Sequence, residues 1–167
     1  LALANMNYFK KKEGNIFFIP LFLPKDFRDN IKSYSQNKFD TMSIYGYGRL
    51  ISINNSGGDL VEIFNYTGAI PDTPECIISS GQMFDPLHVT LGFSKKRWRF
   101  IFENPEYNKE KDSNYSNITF LLGDKEEPIL WIGGEQKTIS SYNAFKYNEW
   151  ITYPPTEIEE MIRNHIN

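Results

Sequence analysis

Residues 43–53 read Ser43-Ile44-Tyr45-Gly46-Tyr47-Gly48-Arg49-Leu50-Ile51-Ser52-Ile53. On a two-residue period, Tyr45, Tyr47, Arg49, Ile51 and Ile53 share one face of a strand, and Gly46 and Gly48 lie on the other beside Ile44 and Leu50. Two glycines two apart on one face let another element approach the backbone, or let the strand coil sharply. They do not make a phosphate loop, because no Lys-Ser/Thr pair and no helix follow them. Asn54-Asn55-Ser56-Gly57-Gly58 is a turn signal, and Leu60 to Tyr66 returns as the hairpin partner. This hairpin places a bent antiparallel sheet at the centre of the fold.

Upstream, Asn15 to Leu23 (NIFFIPLFL) is apolar on both alternating sets, the pattern of a strand covered on both faces or of a short buried segment. Pro20 cannot donate to a ladder and therefore needs an edge or a bulge. Phe27, Ile31 and Tyr34 then repeat at helical spacing, with Asp26 as an N-cap, and predict a short helix over residues 25–36. Downstream, Leu87, Val89, Leu91 and Phe93 alternate with His88, Thr90 and Gly92, and Trp98, Phe100 and Phe102 alternate with Arg97, Arg99 and Ile101. Residues 103–117 are polar and without a period, and read as a long surface loop. Short strands are expected at 117–122 and 128–132, and Gly133-Gly134 turns the second into a strand over 136–140. Pro154-Pro155 stops the chain before a final helix. There Thr156 and Glu159 have capping-box spacing, and Ile158, Met161, Ile162 and Ile166 form an apolar stripe that should dock on the sheet.

The predicted class is α+β: a mainly antiparallel, strongly bent sheet or partial barrel, with a short helix after strand one and a C-terminal helix. Composition agrees. Aromatics are 16% of the 167 residues, and β-branched and aromatic residues favour strands, whereas only four alanines are present. The abundant Ile, Phe, Tyr, Asn and Lys have AT-rich codons and suggest a low-GC bacterial genome. Residues 1–5, before Met6, read as a cloning remnant or a disordered terminus rather than the end of a secretory signal, and residues 6–167 as a single domain. No apolar run approaches the roughly 18–20 residues of a membrane span, so no membrane partner is expected.

Few residues offer chemistry of their own. One cysteine and two histidines leave no zinc-ligand set, and no D-x-D-x-D-G loop suggests calcium, so neither metal nor cofactor is expected. Cys76, His88 and Asp85 have the residue types of a thiol nucleophile, its base and an orienting group, but no local signature surrounds them. The plain reading is a buried cysteine and a solvent-side strand histidine. Acids are numerous without a motif pairing two across a cleft, which leaves a hydrolytic or carbohydrate-binding domain as an alternative only. Lys95-Lys96-Arg97-Trp98-Arg99-Phe100 interleaves cations and aromatics. It reads either as a nucleic-acid-binding strand on a small barrel or as a turn entering a strand, with Trp98 and Phe100 in the core and Arg97 and Arg99 in water. The net charge of −3 argues against nucleic acid.

Gly14-Asn15-Ile16-Phe17-Phe18-Ile19-Pro20-Leu21, Tyr45-Gly46-Tyr47-Gly48-Arg49-Leu50-Ile51, Trp98 after a basic turn, and Ile158-Glu159-Glu160-Met161-Ile162-Arg163-Asn164-His165 together resemble the immunity protein 26 family. The resemblance spans residues 10–166. It implies an α+β protein of a bacterial polymorphic toxin system that neutralises the toxin of an adjacent gene, without enzymatic activity. The chain departs from the family pattern at Gly14-Asn15, where Gly-Asp is common, and in long connections before Tyr45 and over 103–117. Such an inhibitor works by surface complementarity, and acids would meet the basic cleft of a nuclease toxin. The expected partner-binding residues are Asp72, Glu75, Asp85, Glu103, Glu106, Glu110, Asp112, Asp124, Glu126 and Glu127, with Tyr107, Tyr115 or Trp131 as anchors if solvent-facing.

Overall fold

Ile16 to Pro20 (β1) and Tyr45 to Ser52 (β2) are buried at every residue. In this computed structural model, which describes residues 7–25, 28 and 31–167, they are adjacent inner strands of a sheet with both faces covered. Asp59–Ile63 (β3), Leu87–Val89 (β4), Arg99–Phe102 (β5) and Thr152–Tyr153 complete it. The strand order is β5, β1, β2, β3, β4 and Thr152–Tyr153, antiparallel except for the last pair. Phe17, Ile19, Leu50, Val61, Ile63, Trp98 and Phe100 pack on one face, and Ile16, Phe18, Tyr45, Tyr47, Phe64 and Ile77 on the other. A two-sided core explains why β1 and β2 carry apolar residues in both alternating sets.

The final helix, Pro155–Ile166, covers the first of these faces. Ile158 and Ile162 are fully buried there, each contributing on the order of 1.5–3 kcal/mol of apolar burial. Gly46 admits this helix: a Cβ at that position would lie 3.3 Å from Ile162 Cδ1. Gly48 admits Phe17, whose ring would lie 2.5 Å from an added Cβ, with the Glu62 carbonyl oxygen 2.7 Å away. The paired glycines are therefore sites of close approach, one to a helix and one to a neighbouring strand.

Two compact units divide the chain. The first holds this sheet and comprises the residues up to Tyr107 together with Thr152–Asn167; the second is Asn108–Ile151. In the second, Thr119–Leu122 (β6), Ile129–Ile132 (β7) and Glu135–Thr138 (β8) form an antiparallel meander. Gly133 and Gly134 both have positive φ, as the two-residue turn between β7 and β8 requires. Phe120, Trp131 and Trp150 cluster with centroids 5.5–5.8 Å apart, the two tryptophans edge to face and Phe120 tilted against both.

The main sheet ends at β5 and Thr152–Tyr153 and is not closed into a barrel. Several finer expectations are corrected. β1 is not an edge strand; its pairing with β5 runs only from Ile16 to Phe18, so Pro20 falls beyond that ladder. The helix expected over 25–36 falls partly on residues 26, 27, 29 and 30, outside the described residues, as does the reading of residues 1–5. Where 25–36 is described, the Ile31 and Lys32 N–H groups donate to the Arg28 carbonyl in a single turn, and 32–34 are irregular. The strand at Leu87 stops at Val89, because Leu91 adopts a left-handed backbone with φ of 68°. Residues 103–117 carry a short helix, Lys109–Ser113, and a 3-10 turn, Tyr115–Asn117. The capping box does not form. The final helix begins with Pro155 at its first position and no side-chain cap hydrogen bond, and Glu159 turns inward.

Candidate functional site

All ten candidate acids are solvent-exposed, divided evenly between the two units. In the first unit, Asp72 and Glu75 sit where the chain enters the short helix Glu75–Ile78, Asp85 precedes β4, and Glu103 and Glu106 follow β5. A hydrogen bond from the Thr73 side chain holds the Glu75 carboxyl below its ordinary range. In the second unit three of the five acids also build their own loops. Asp124 Oδ1 accepts the N–H groups of Glu126 and Glu127, fixing the β6–β7 turn. Asp112 Oδ2 accepts from Asn108 N–H, while the Asn108 side chain accepts from the N–H groups of Glu110 and Lys111, a reciprocal helix start. Glu110 Oε2 accepts from Ser116 N–H. Glu126 and Glu127 contribute only backbone donors to their turn, which leaves their carboxylates to the surface.

The expected aromatic anchors are not at the surface. Trp131 is buried against Phe120 and Trp150. Tyr115 is half-buried, edge-on to Trp131 and under Lys109 Nζ at 4.4 Å. Tyr107 is half-buried beneath the Arg49 guanidinium at 5.0 Å. Two other aromatics are exposed instead. Tyr142 and Phe145, on the 3-10 segment Ser141–Lys146, are 79% and 76% exposed and pack edge to face at 6.3 Å. No periodicity marks this segment. The only signal is small Ala144 between two aromatics, and Ala144 is the one buried residue of the six.

The chain also buries ions. Arg97 and Glu159, 1% and 0% exposed, form a two-pronged pair at 2.7 and 2.6 Å. Trp98 Nε1–H donates to the same carboxylate at 3.0 Å, and Arg97 Nη1–H donates to the Tyr34 hydroxyl at 2.6 Å. Arg97 is thus in the interior, contrary to the expectation of a solvent-facing side chain, whereas Trp98 and Phe100 lie in the core as expected. Arg49 Nε–H donates to Glu62 Oε2 at 2.9 Å, a second buried pair, and Gln82 donates to Glu62 Oε1. Both pairs tie elements together and neither faces solvent.

Chemistry at Cys76, His88 and Asp85 finds no support. Cys76 and Asp85 are exposed, and His88 is fully buried in β4 rather than solvent-side, with burial lowering its pKa to about 4. Among the described residues, no group of three His, Cys, Asp or Glu is placed to hold a metal ion. No helix there is long and apolar enough to cross a membrane.

Comparison with known proteins gives one match. No curated protein and no solved structure is significantly similar to the chain. The family match begins at Lys12, before β1, and ends at Glu127 in the β6–β7 turn, so the final helix lies beyond it. It covers the whole of β1 to β5 and more than half of the chain. The family described as Immunity protein 26 matches residues 12–127, and the chain belongs to that family.

Proposed function

We propose that the protein neutralises a bacterial toxin by binding it, as a stoichiometric inhibitor without a catalytic centre, metal or cofactor. Membership of the immunity family carries this reading. Its partner is the toxin domain of an adjacent gene, met in the cytoplasm of the producing cell. The exposed acids, Asp72, Glu75, Asp85, Glu103 and Glu106 in one unit and Glu110, Asp112, Asp124, Glu126 and Glu127 in the other, supply the electrostatic part of the interface. That sign of charge suits a basic, nucleic-acid-cleaving toxin. Tyr142 and Phe145 supply an apolar anchor, since aromatic rings with little entropy to lose are common interface hot spots.

The test is co-expression with the toxin domain of the neighbouring gene, followed by mixing of the purified proteins. Restored growth together with a one-to-one complex supports inhibition by binding. Growth that stays blocked, with no complex by calorimetry, ends the proposal. Rescue with catalytic consumption of the toxin or its product, and no stable complex, would reveal an enzyme instead.

A further inference from the structure

Beside β5 the first unit opens a cleft of about 550 Å³, within the usual range for a small-ligand site. Four cations line it, Lys10, Lys11, Lys96 and Arg99, and among the described residues no carboxylate does. This is a concentration of positive charge on a chain whose net charge is −3. Lys11 is partly neutralised by Asp59 at 2.6 Å. Lys10 and Lys96 are exposed and make no ion pair among the described residues. Arg99 donates to the carbonyls of Lys96 and Tyr34, neutral acceptors that leave its charge uncancelled. It is also held between the rings of Tyr8 and Phe39, at 5.0 and 4.6 Å.

The rest of the wall is aromatic. Phe93, Trp98 and Phe100 form a buried floor, and Tyr8 and Phe9 lie at the opening, 37% and 38% exposed. The hydroxyls of Ser35 and Ser94 add two polar groups. Lys96 holds a left-handed backbone, φ 60°, a conformation that costs a lysine free energy and recurs at ligand sites. Exposed rings beside uncompensated ammonium and guanidinium groups recognise a planar ring that carries an anion. The volume takes one such unit, and the acidic remainder of the molecule opposes a long polyanion.

We infer that this cleft is a nucleotide site: Tyr8 and Phe9 stack on a base, and Lys10, Lys96 and Arg99 bind its phosphate. The nucleotide is free or is the end of a single strand; the chemistry recognised is the same. The inference is independent of toxin binding, so its failure leaves that reading untouched.

Calorimetric titration of the full chain with adenosine 5′-monophosphate tests it, beside adenosine, inorganic phosphate and a short oligo-dA. The expected result is a Kd of about 1 mM or tighter for the monophosphate at low salt, weakening on going from about 50 to 200 mM salt. Adenosine and phosphate alone should each bind at least about tenfold more weakly, since each meets only half of the site. Tighter binding of oligo-dA identifies a strand end as the ligand; equal or weaker binding identifies the free nucleotide. Lys10→Glu with Lys96→Glu should weaken binding about tenfold or more with little change in Tm, because both side chains are exposed. Tyr8→Ala should weaken the monophosphate but not inorganic phosphate. No heat with the monophosphate at millimolar concentration, phosphate binding as tightly as the nucleotide, or a double variant that binds like wild type would each overturn the inference.

Discussion

At the scale of single residues, the interior is organised by charges that sequence periodicity places in water. Arg97 and Glu159 are 62 positions apart and meet with four hydrogen bonds around them, including those to Tyr34 and Trp98. Removing one partner leaves the other buried and uncompensated, which costs about 3–5 kcal/mol, whereas removing both costs far less. Glu159→Gln should therefore destabilise the protein strongly in urea unfolding, and Glu159→Leu with Arg97→Met should recover most of the loss. Equal destabilisation by the single and double variants would show that the pair is not an energetic unit. His88 yields a second expectation. Burial lowers its pKa from 6.5 to about 4, so between those values the unfolded chain takes up a proton that the folded chain refuses. Stability is complete above pH 6.5 and falls as the pH drops toward 4, by roughly 3 kcal/mol from this group. Urea midpoints of wild type and His88→Leu, compared across that window, should differ in slope; parallel curves would refute the assignment.

At the scale of elements, the strongest sequence signals are those with local causes. The β2–β3 hairpin, the Gly133-Gly134 turn and the buried Ile158–Ile162 stripe all follow from period, turn chemistry and helix spacing. What the pattern hides depends on distant partners. The capping-box spacing of Thr156 and Glu159 is real in sequence, but an arginine far away in the chain holds the glutamate more strongly than a local N–H would. Likewise 103–117 lacks a period because its helix is one turn long and held by polar side chains, with Ser113 its one buried residue. The glycine pair of β2 turns this into a measurable contrast. In Gly48→Ala the new methyl meets the Phe17 ring and the Glu62 carbonyl well inside contact distance, and a backbone atom cannot yield as a side-chain end can. A loss of about 1–3 kcal/mol or more is expected. Gly46→Ala is tight only against the flexible end of Ile162 at 3.3 Å, with Ile162 Cγ2 and Ile19 Cβ at an ordinary 3.7 Å, so its loss should be clearly smaller. Thermal denaturation of the two variants side by side checks the order; a reversed order would mean that the helix, not the strand, sets the tighter limit.

At the scale of the whole molecule, the family was legible in short strand motifs, while the division into two units carries no linker signature. Its boundaries fall at Tyr107-Asn108 and Ile151-Thr152, inside stretches of ordinary composition. The acids were legible as exposed, because a carboxylate is costly to take out of water, but exposure alone does not distinguish a partner surface from ordinary solvated surface. Which aromatics are exposed was not legible: Trp131 looks like a surface tryptophan only until its neighbours are known, and Tyr142 and Phe145 sit in a segment with no pattern. The acids and aromatics can be separated by kinetics. Exposed charges act at encounter, so reversing them lowers kon and flattens its salt dependence, whereas an anchor acts after docking and changes koff. Glu126→Lys with Glu127→Lys changes two side chains that give their turn only backbone donors, so the fold should be disturbed by no more than about 0.5 kcal/mol. Glu103→Lys with Glu106→Lys makes the matching change in the other unit. If the toxin approaches through one unit, only one of these pairs should slow association, by about tenfold at low salt, and the effect should fade as salt screens it. Phe145→Ser should instead shorten the lifetime of the complex at unchanged kon if the Tyr142–Phe145 edge is the anchor. Surface plasmon resonance against the toxin domain reads both rates. A complex indifferent to both charge reversals and to Phe145→Ser would place its interface elsewhere on the molecule, even where growth is rescued.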